Sequence, residues 1–111
     1  MCSTGSISVI DAKESSVESY LVAQVKAHGG DTRKVTYQGR KGAPDRWCFF
    51  PGGRLLIVEC KRPNKNKLDP LQEIEVNWLQ GMGFRATWLN TKEQVDEVLK
   101  AFFQATGYQL A

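Results

Sequence analysis

At 111 residues, 41% hydrophobic and 24% charged, the chain holds enough apolar material for one compact domain with a modest core and too much for a disordered segment. No stretch approaches the roughly 20 consecutive apolar residues of a bilayer-spanning helix, and residues 1–8 lack the basic and apolar runs of a secretion signal. Three cysteines (Cys2, Cys48 and Cys60) without paired ligand spacing argue against a disulfide framework or a structural zinc site, and a reducing cytoplasm is the expected setting.

In chain order, residues 1–11 read as a flexible tail, which leaves 12–111 as a single domain. From Glu14 to His28 the apolar residues Val17, Tyr20, Leu21 and Val25 recur at helical spacing, and Gly29-Gly30 supplies the stop. A β-prone stretch covers Arg33–Gln38, and Gly39–Pro44 is a turn or flexible loop. Arg46–Phe50 and Arg54–Cys60 form a hairpin around Pro51-Gly52-Gly53, the second strand apolar at every position from Leu55 to Val58 and therefore covered on both faces.

Asp69-Pro70-Leu71-Gln72 starts the next helix with an N-cap, a proline in the first turn and a capping-box glutamine. Leu71, Ile74, Trp78 and Met82 lie on one stripe of that helix. A strand over Phe84–Leu89 follows, then a last amphipathic helix opened by Thr91 and Gln94 and carrying Val95, Val98, Leu99, Phe102 and Phe103. Cys48, Cys60, Trp47, Trp78 and Trp88 all read as core residues, and His28 as a helix-end residue. The order helix, three strands, helix, strand, helix is an α/β arrangement with a central mixed sheet flanked by helices.

The charge is unevenly spread. Ten of the fifteen basic residues lie between Arg33 and Lys67, and only two acids, Asp45 and Glu59, interrupt them, so that span carries +8. A solvated basic face explains such a run as readily as a phosphate-binding surface does. The two isolated carboxylates favour the second. Glu59 and Lys61 end an apolar strand one residue apart, so both project from one face, roughly 6–7 Å apart. Cys60 points into the core between them. Asp45 opens the partner strand, where hairpin pairing brings it beside Glu59. Two carboxylates and a backbone carbonyl are hard oxygen donors suited to Mg²⁺ or Mn²⁺, with Lys61 placed to orient a water or neutralise phosphate charge. A lone Glu-x-Lys is common by chance; the preceding Pro44-Asp45 is what raises its weight.

This constellation resembles the PD-(D/E)xK nuclease superfamily, and within it the VRR-NUC family of virus-type replication-repair nucleases. The resemblance rests on Glu18, Gly29-Gly30, Lys34, Gly42-Ala-Pro-Asp-Arg46, Pro51-Gly-Gly53, Glu59-Cys-Lys-Arg-Pro63 and Leu71-Gln72, and it covers residues 14–100. It implies a restriction-endonuclease-like core. It also implies Asp45, Glu59, the Cys60 carbonyl and Glu18 as metal ligands, Lys61 as catalytic lysine, and Gln72 orienting the water or a metal ligand. Glu14, one turn before Glu18, competes for its role, and capping at Asp69 accounts for Gln72 equally well.

The implied activity is Mg²⁺- or Mn²⁺-dependent DNA cleavage without a small-molecule cofactor. The implied substrate is branched DNA such as four-way junctions, cut by a phage-type homodimer with a place in DNA repair. Lys34, Arg40, Lys41, Arg46 and Arg62 are the candidate DNA contacts, with ion pairing an alternative for Lys34 and Arg46. The rivals are a monomeric nuclease on flaps or duplexes, a DNA-binding module that does not cut, and a scaffold subunit that would leave the isolated carboxylates unexplained.

Overall fold

A computed structural model describes residues 14–109; the expected 1–11 tail lies outside them. The elements are α1 (Glu14–Ala27), β1 (Asp31–Lys34), β2 (Arg46–Phe50), β3 (Arg54–Cys60), α2 (Pro70–Gly81), β4 (Arg85–Leu89) and α3 (Lys92–Thr106). The strands form one sheet in the order β1-β2-β3-β4, antiparallel except for the parallel β3–β4 pair. The expected mixed sheet flanked by helices is therefore present. Among the described residues no helix is long and apolar enough to cross a membrane.

Strand alternation divides the interior in two. On one face Cys48, Phe50, Leu56, Val58, Cys60 and Leu89 pack against Val17, Leu21 and Val25 of α1 and Val95, Leu99 and Phe102 of α3. On the other, Ile57 and Ala86 pack against Val76 and Leu79 of α2. β3 is thus covered on both sides, as its unbroken apolar run requires. Cys48 and Cys60 are buried free thiols, and burial pushes the Cys48 thiol up to about 12 and raises that of Cys60 as well.

Two expectations are corrected. The first strand comes earlier than Arg33–Gln38: after Lys34 the Val35 N–H bonds the Asp45 carbonyl at 2.9 Å, and the chain then leaves the sheet. Tyr37 does not extend the ladder; its hydroxyl donates to Glu75 on α2 at 2.8 Å. The second correction concerns α2. The face turned to the sheet carries Glu75, Val76 and Leu79, while Leu71, Ile74, Trp78 and Met82 are more than half exposed. Trp78 is consequently a surface residue at 55% exposure, whereas Trp47 and Trp88 are half-buried. Hydrophobic spacing identifies the wider apolar stripe. The orientation follows instead from polar anchors, Gln72 to Glu59 and Glu75 to Tyr37, together with the small apolar patch that Val76 and Leu79 cover.

Candidate active site

The site lies where β2 and β3 part at the end of the hairpin farthest from the Gly52-Gly53 turn. Pairing of Arg46 with Val58 sets the register, and one residue further along it Asp45 faces Glu59. The Asp45 backbone N–H donates to Glu59 Oε1 at 3.2 Å, so the two acidic residues are joined by a hydrogen bond from main chain to side chain. Glu59 and Lys61 share the α2 side of the sheet and are both buried, while Cys60 is fully buried in the opposite core. The Cys60 carbonyl is part of the backbone link between the two polar side chains. β3 is held at this end by the Lys61 N–H, which donates to the Leu89 carbonyl at 2.8 Å.

The approach to β2 depends on a glycine. Gly42 has φ +99°, and a Cβ there would come within 2.6 Å of the Leu71 carbonyl oxygen at the start of α2. Only glycine lets the 39–44 loop pass this close to the helix while delivering Pro44 and Asp45 to the site. Pro44 is buried and its carbonyl accepts from Trp47 Nε1 at 2.9 Å.

Lys61 Nζ lies 3.8 Å from Glu59 Oε2 and 3.5 Å from Asp69 Oδ2, with its side chain only 9% exposed. Gln72 reaches the same carboxylate from α2, its Nε2 donating to Glu59 Oε2 at 3.0 Å. Its Oε1 accepts from the Asp69 N–H at 3.2 Å, so one amide serves both the helix cap and the site. Asp69 is the member that sequence reasoning missed as part of the site. It was legible as an N-cap, but its pairing with Lys61 needs the 61–69 loop to fold back. That loop is fastened to the end of β4 by Asn90 Nδ2, which donates to the Pro63 and Lys65 carbonyls.

Glu18 enters from α1, on the opposite side of the sheet from α2. Its Oε2 accepts from Arg46 Nε and Lys34 Nζ, each at 2.7 Å. Burial pushes its carboxyl up, but the hydrogen bonds from Lys34 and Arg46 outweigh this and hold it below the ordinary carboxylate value. Lys34 Nζ also lies 3.4 Å from Asp45 Oδ2 and so links Glu18 to the rest of the cluster. The structure therefore brings Asp45, Glu59, Lys61 and Gln72 together directly and joins Glu18 to them through Lys34.

Of the candidate DNA contacts, Lys34 and Arg46 are engaged in these ion pairs. Arg40 lies 3.7 Å from Glu75, and Lys41 and Arg62 are exposed.

One atom in the cluster lacks what its chemistry demands. Asp45 Oδ1 is buried and has no hydrogen-bond partner, although Oδ2 of the same carboxylate faces Lys34. Leaving such an acceptor dry costs about 1–3 kcal/mol. A cation held between Asp45 and Glu59 would satisfy it, and an all-oxygen donor set of two carboxylates and a carbonyl fits a hard divalent ion. Among the described residues no group of three His, Cys, Asp or Glu side chains forms a ready cage.

No family profile matches the chain. It is 36% identical over 81 residues to a protein named "Putative nuclease p44" from Acyrthosiphon pisum secondary endosymbiont phage 1, a match that covers 73% of this chain and 86% of that one. Among solved structures it is similar to a chain described as "VRR_NUC domain", with a TM-score of 0.76 and 34% identity over 80% of this chain and 96% of the other. With the mixed sheet and helix order in agreement, the chain belongs to the VRR-NUC family of nucleases.

Proposed function

We propose that this nuclease is a divalent-cation-dependent DNA endonuclease whose single domain, residues 12–111, hydrolyses phosphodiester bonds at the Asp45–Glu59–Lys61 cluster. The observation that carries this reading is the buried, unpartnered Oδ1 of Asp45 beside Glu59. Both acids lie within a stretch of chain otherwise rich in lysine and arginine.

Asp45, Glu59 and the Cys60 carbonyl would hold Mg²⁺ or Mn²⁺, with Glu18 contributing once it is no longer engaged by Lys34. Such an ion, when bound, supplies Lewis-acid activation of water and neutralises charge on the phosphate. The protein's own groups do the positioning. Lys61, buried between Glu59 and Asp69, presents an ammonium that orients the nucleophile or meets the charge developing on the phosphate oxygens. Gln72 fixes the Glu59 carboxylate through Nε2. Arg40, Lys41 and Arg62, all exposed, supply backbone-phosphate contacts along with Lys34 and Arg46.

The substrate we propose is branched DNA such as a four-way junction, cut by a homodimer in the cytoplasm of the cell in which a phage-type gene is expressed. Family likeness suggests the substrate. The dimer draws independent support from α2, where the exposed stripe Leu71, Ile74, Trp78 and Met82, with nearby Phe84, offers an apolar surface that a two-fold-related copy would cover.

The test is a cleavage panel of junction, flap, single-stranded and duplex DNA with Mg²⁺ or Mn²⁺ varied. Junction cutting that needs the cation is expected. Asp45→Asn and Lys61→Ala should each lose about two orders of magnitude or more in rate while still binding DNA. Undiminished cutting in excess chelator would overturn the mechanism. Preference for flaps or plain duplex would replace the substrate, and binding without cutting would leave a DNA-binding module.

A further inference from the structure

Lys34 occupies an unusual position in this cluster. It is the last residue of the edge strand β1, and its ammonium is the link between two carboxylates that come from different elements. To Glu18 Oε2 it makes a close bond of 2.7 Å, and to Asp45 Oδ2 a longer contact of 3.4 Å. The second carboxylate is the one whose other oxygen is left unpartnered. A single ammonium has satisfied this pair of acids incompletely.

Its neighbour Arg46 behaves differently. Arg46 also bonds Glu18 Oε2 at 2.7 Å, but its side chain is 21% exposed against 56% for Lys34, and its Nη1 is anchored on Thr32 Oγ1 at 3.1 Å. Glu18 would therefore keep one half-buried, hydrogen-bonded cation if Lys34 left. Lys34 has a flexible four-carbon stem and solvent on one side, so its departure requires side-chain rotation alone.

We propose that Lys34 is the stand-in cation of the Glu18–Asp45 pair in the metal-free protein, and that a divalent ion binding at Asp45 and Glu59 must displace its ammonium. This rests on the metal-site reading above and adds to it a competitor encoded in the chain. The physical basis is charge. Without a divalent ion, Glu18, Asp45 and Glu59 repel one another and Lys34 relieves part of that repulsion. With the ion bound at Asp45, an ammonium a few ångströms away is itself repelled. Lys34 thus stabilises the metal-free arrangement at the expense of metal affinity.

The test measures Mn²⁺ binding to the DNA-free protein by titration calorimetry at low ionic strength, with thermal unfolding as a second readout. Lys34→Met keeps the apolar stem and removes the charge. It should bind Mn²⁺ on the order of fivefold more tightly than wild type, the scale of a partly exposed ion pair. In chelator it should melt lower than wild type, and Mn²⁺ should raise its melting temperature by the larger amount. Lys34→Arg places a planar fork between the same two acids and should bind Mn²⁺ more weakly than wild type. Lys26→Met removes a charge from α1 without touching a carboxylate of the cluster and serves as the control for long-range electrostatics, with unchanged affinity expected.

Equal or weaker Mn²⁺ binding by Lys34→Met, where wild type binds and Asp45→Asn does not, would overturn the role of Lys34 and leave the metal site standing. If Asp45→Asn bound Mn²⁺ as well as wild type, or neither bound it, the metal-site reading and this proposal would fall together. Should Lys34→Met not fold, a Lys34→Arg variant that matched or exceeded wild-type affinity would overturn the proposal by itself.

Discussion

Gln72 holds Glu59 with one end of its amide and caps its own helix with the other, at 3.0 and 3.2 Å. The two functions are separable by substitution. Gln72→Ala removes both and should destabilise the protein by about 0.5–2 kcal/mol, the usual scale of a lost cap. It should also slow cleavage by about tenfold or more, as the loss of a positioning partner does. Gln72→Glu retains a capping acceptor but sets a second carboxylate against buried Glu59, so it should cut slowly and regain stability as pH falls and the pair takes up a proton. Denaturant melts and single-turnover rates on the three proteins check this. Wild-type rates in Gln72→Ala would reduce Gln72 to a cap.

The exposed stripe on α2 predicts an association that can be broken without unfolding. Trp78→Glu combined with Ile74→Glu places two charges on a surface already in solvent, so the circular dichroism spectrum should remain that of wild type. Sedimentation should change from a dimer to a monomer. A wild-type protein that sediments as a monomer at all accessible concentrations would remove the dimer from the proposed mechanism.

DNA affinity should depend on the 39–44 loop. Arg40→Ala and Lys41→Ala should each weaken binding to every sequence tested and reduce the slope of log K against log salt by about one. Arg40 gives up a 3.7 Å approach to Glu75 to make its phosphate contact, so its effect should be the smaller of the two. Binding assays across a salt series decide it, and an unaltered slope would put the DNA surface elsewhere.

Tyr37 provides a pH-dependent test of the link between the 35–44 segment and α2. Burial, then the hydrogen bond to the Glu75 carboxylate, push its phenol up to about 12. A raised folded-state value means that this contribution to stability is present in full below the ordinary tyrosine value of 10.0 and is lost as pH rises towards 12. Tyr37→Phe, which leaves the buried Glu75 short of a donor, should cost about 1–3 kcal/mol at neutral pH. The gap from wild type should narrow in strong alkali. Ultraviolet difference spectra of wild type against Tyr37→Phe would report the phenol directly, and titration near its ordinary value would refute the assignment.

Much of this was legible in the sequence because it depends on local rules. The hairpin boundaries at Arg46–Phe50 and Arg54–Cys60 follow from an apolar strand and a Gly-Gly turn. Strand alternation alone puts Glu59 and Lys61 on one face with Cys60 on the other. Thr91 caps α3 as its type and spacing suggest, its Oγ1 accepting from the Gln94 N–H at 3.1 Å. The misjudged features depend on partners distant in sequence. Nothing near Trp78 indicates that Gln72 and Glu75 are anchored by Glu59 and Tyr37, which turns the apolar stripe outward. Nothing near Asp69 shows that Lys61 lies within 3.5 Å. For Lys34 and Arg46 both DNA contact and ion pairing stay open at the level of sequence, because their charge is local information while Glu18, their shared acceptor, comes from another element.

The unequal division of the interior has a consequence for how the protein opens. Among the described residues the α1/α3 side of the sheet holds thirteen buried residues in its cluster and the α2 side four. Local unfolding is cheapest where least apolar surface is buried. Amide exchange should therefore find α2 releasing its protons before α1, β2, β3 and α3. Each such excursion should withdraw Gln72 and loosen Asp69 while Glu59 stays paired within β3 and the Asp45 carbonyl stays bonded to the Val35 N–H. The carboxylate wall of the site is thus carried by the well-packed sheet, and the amide wall by a short helix whose apolar outer face is exposed.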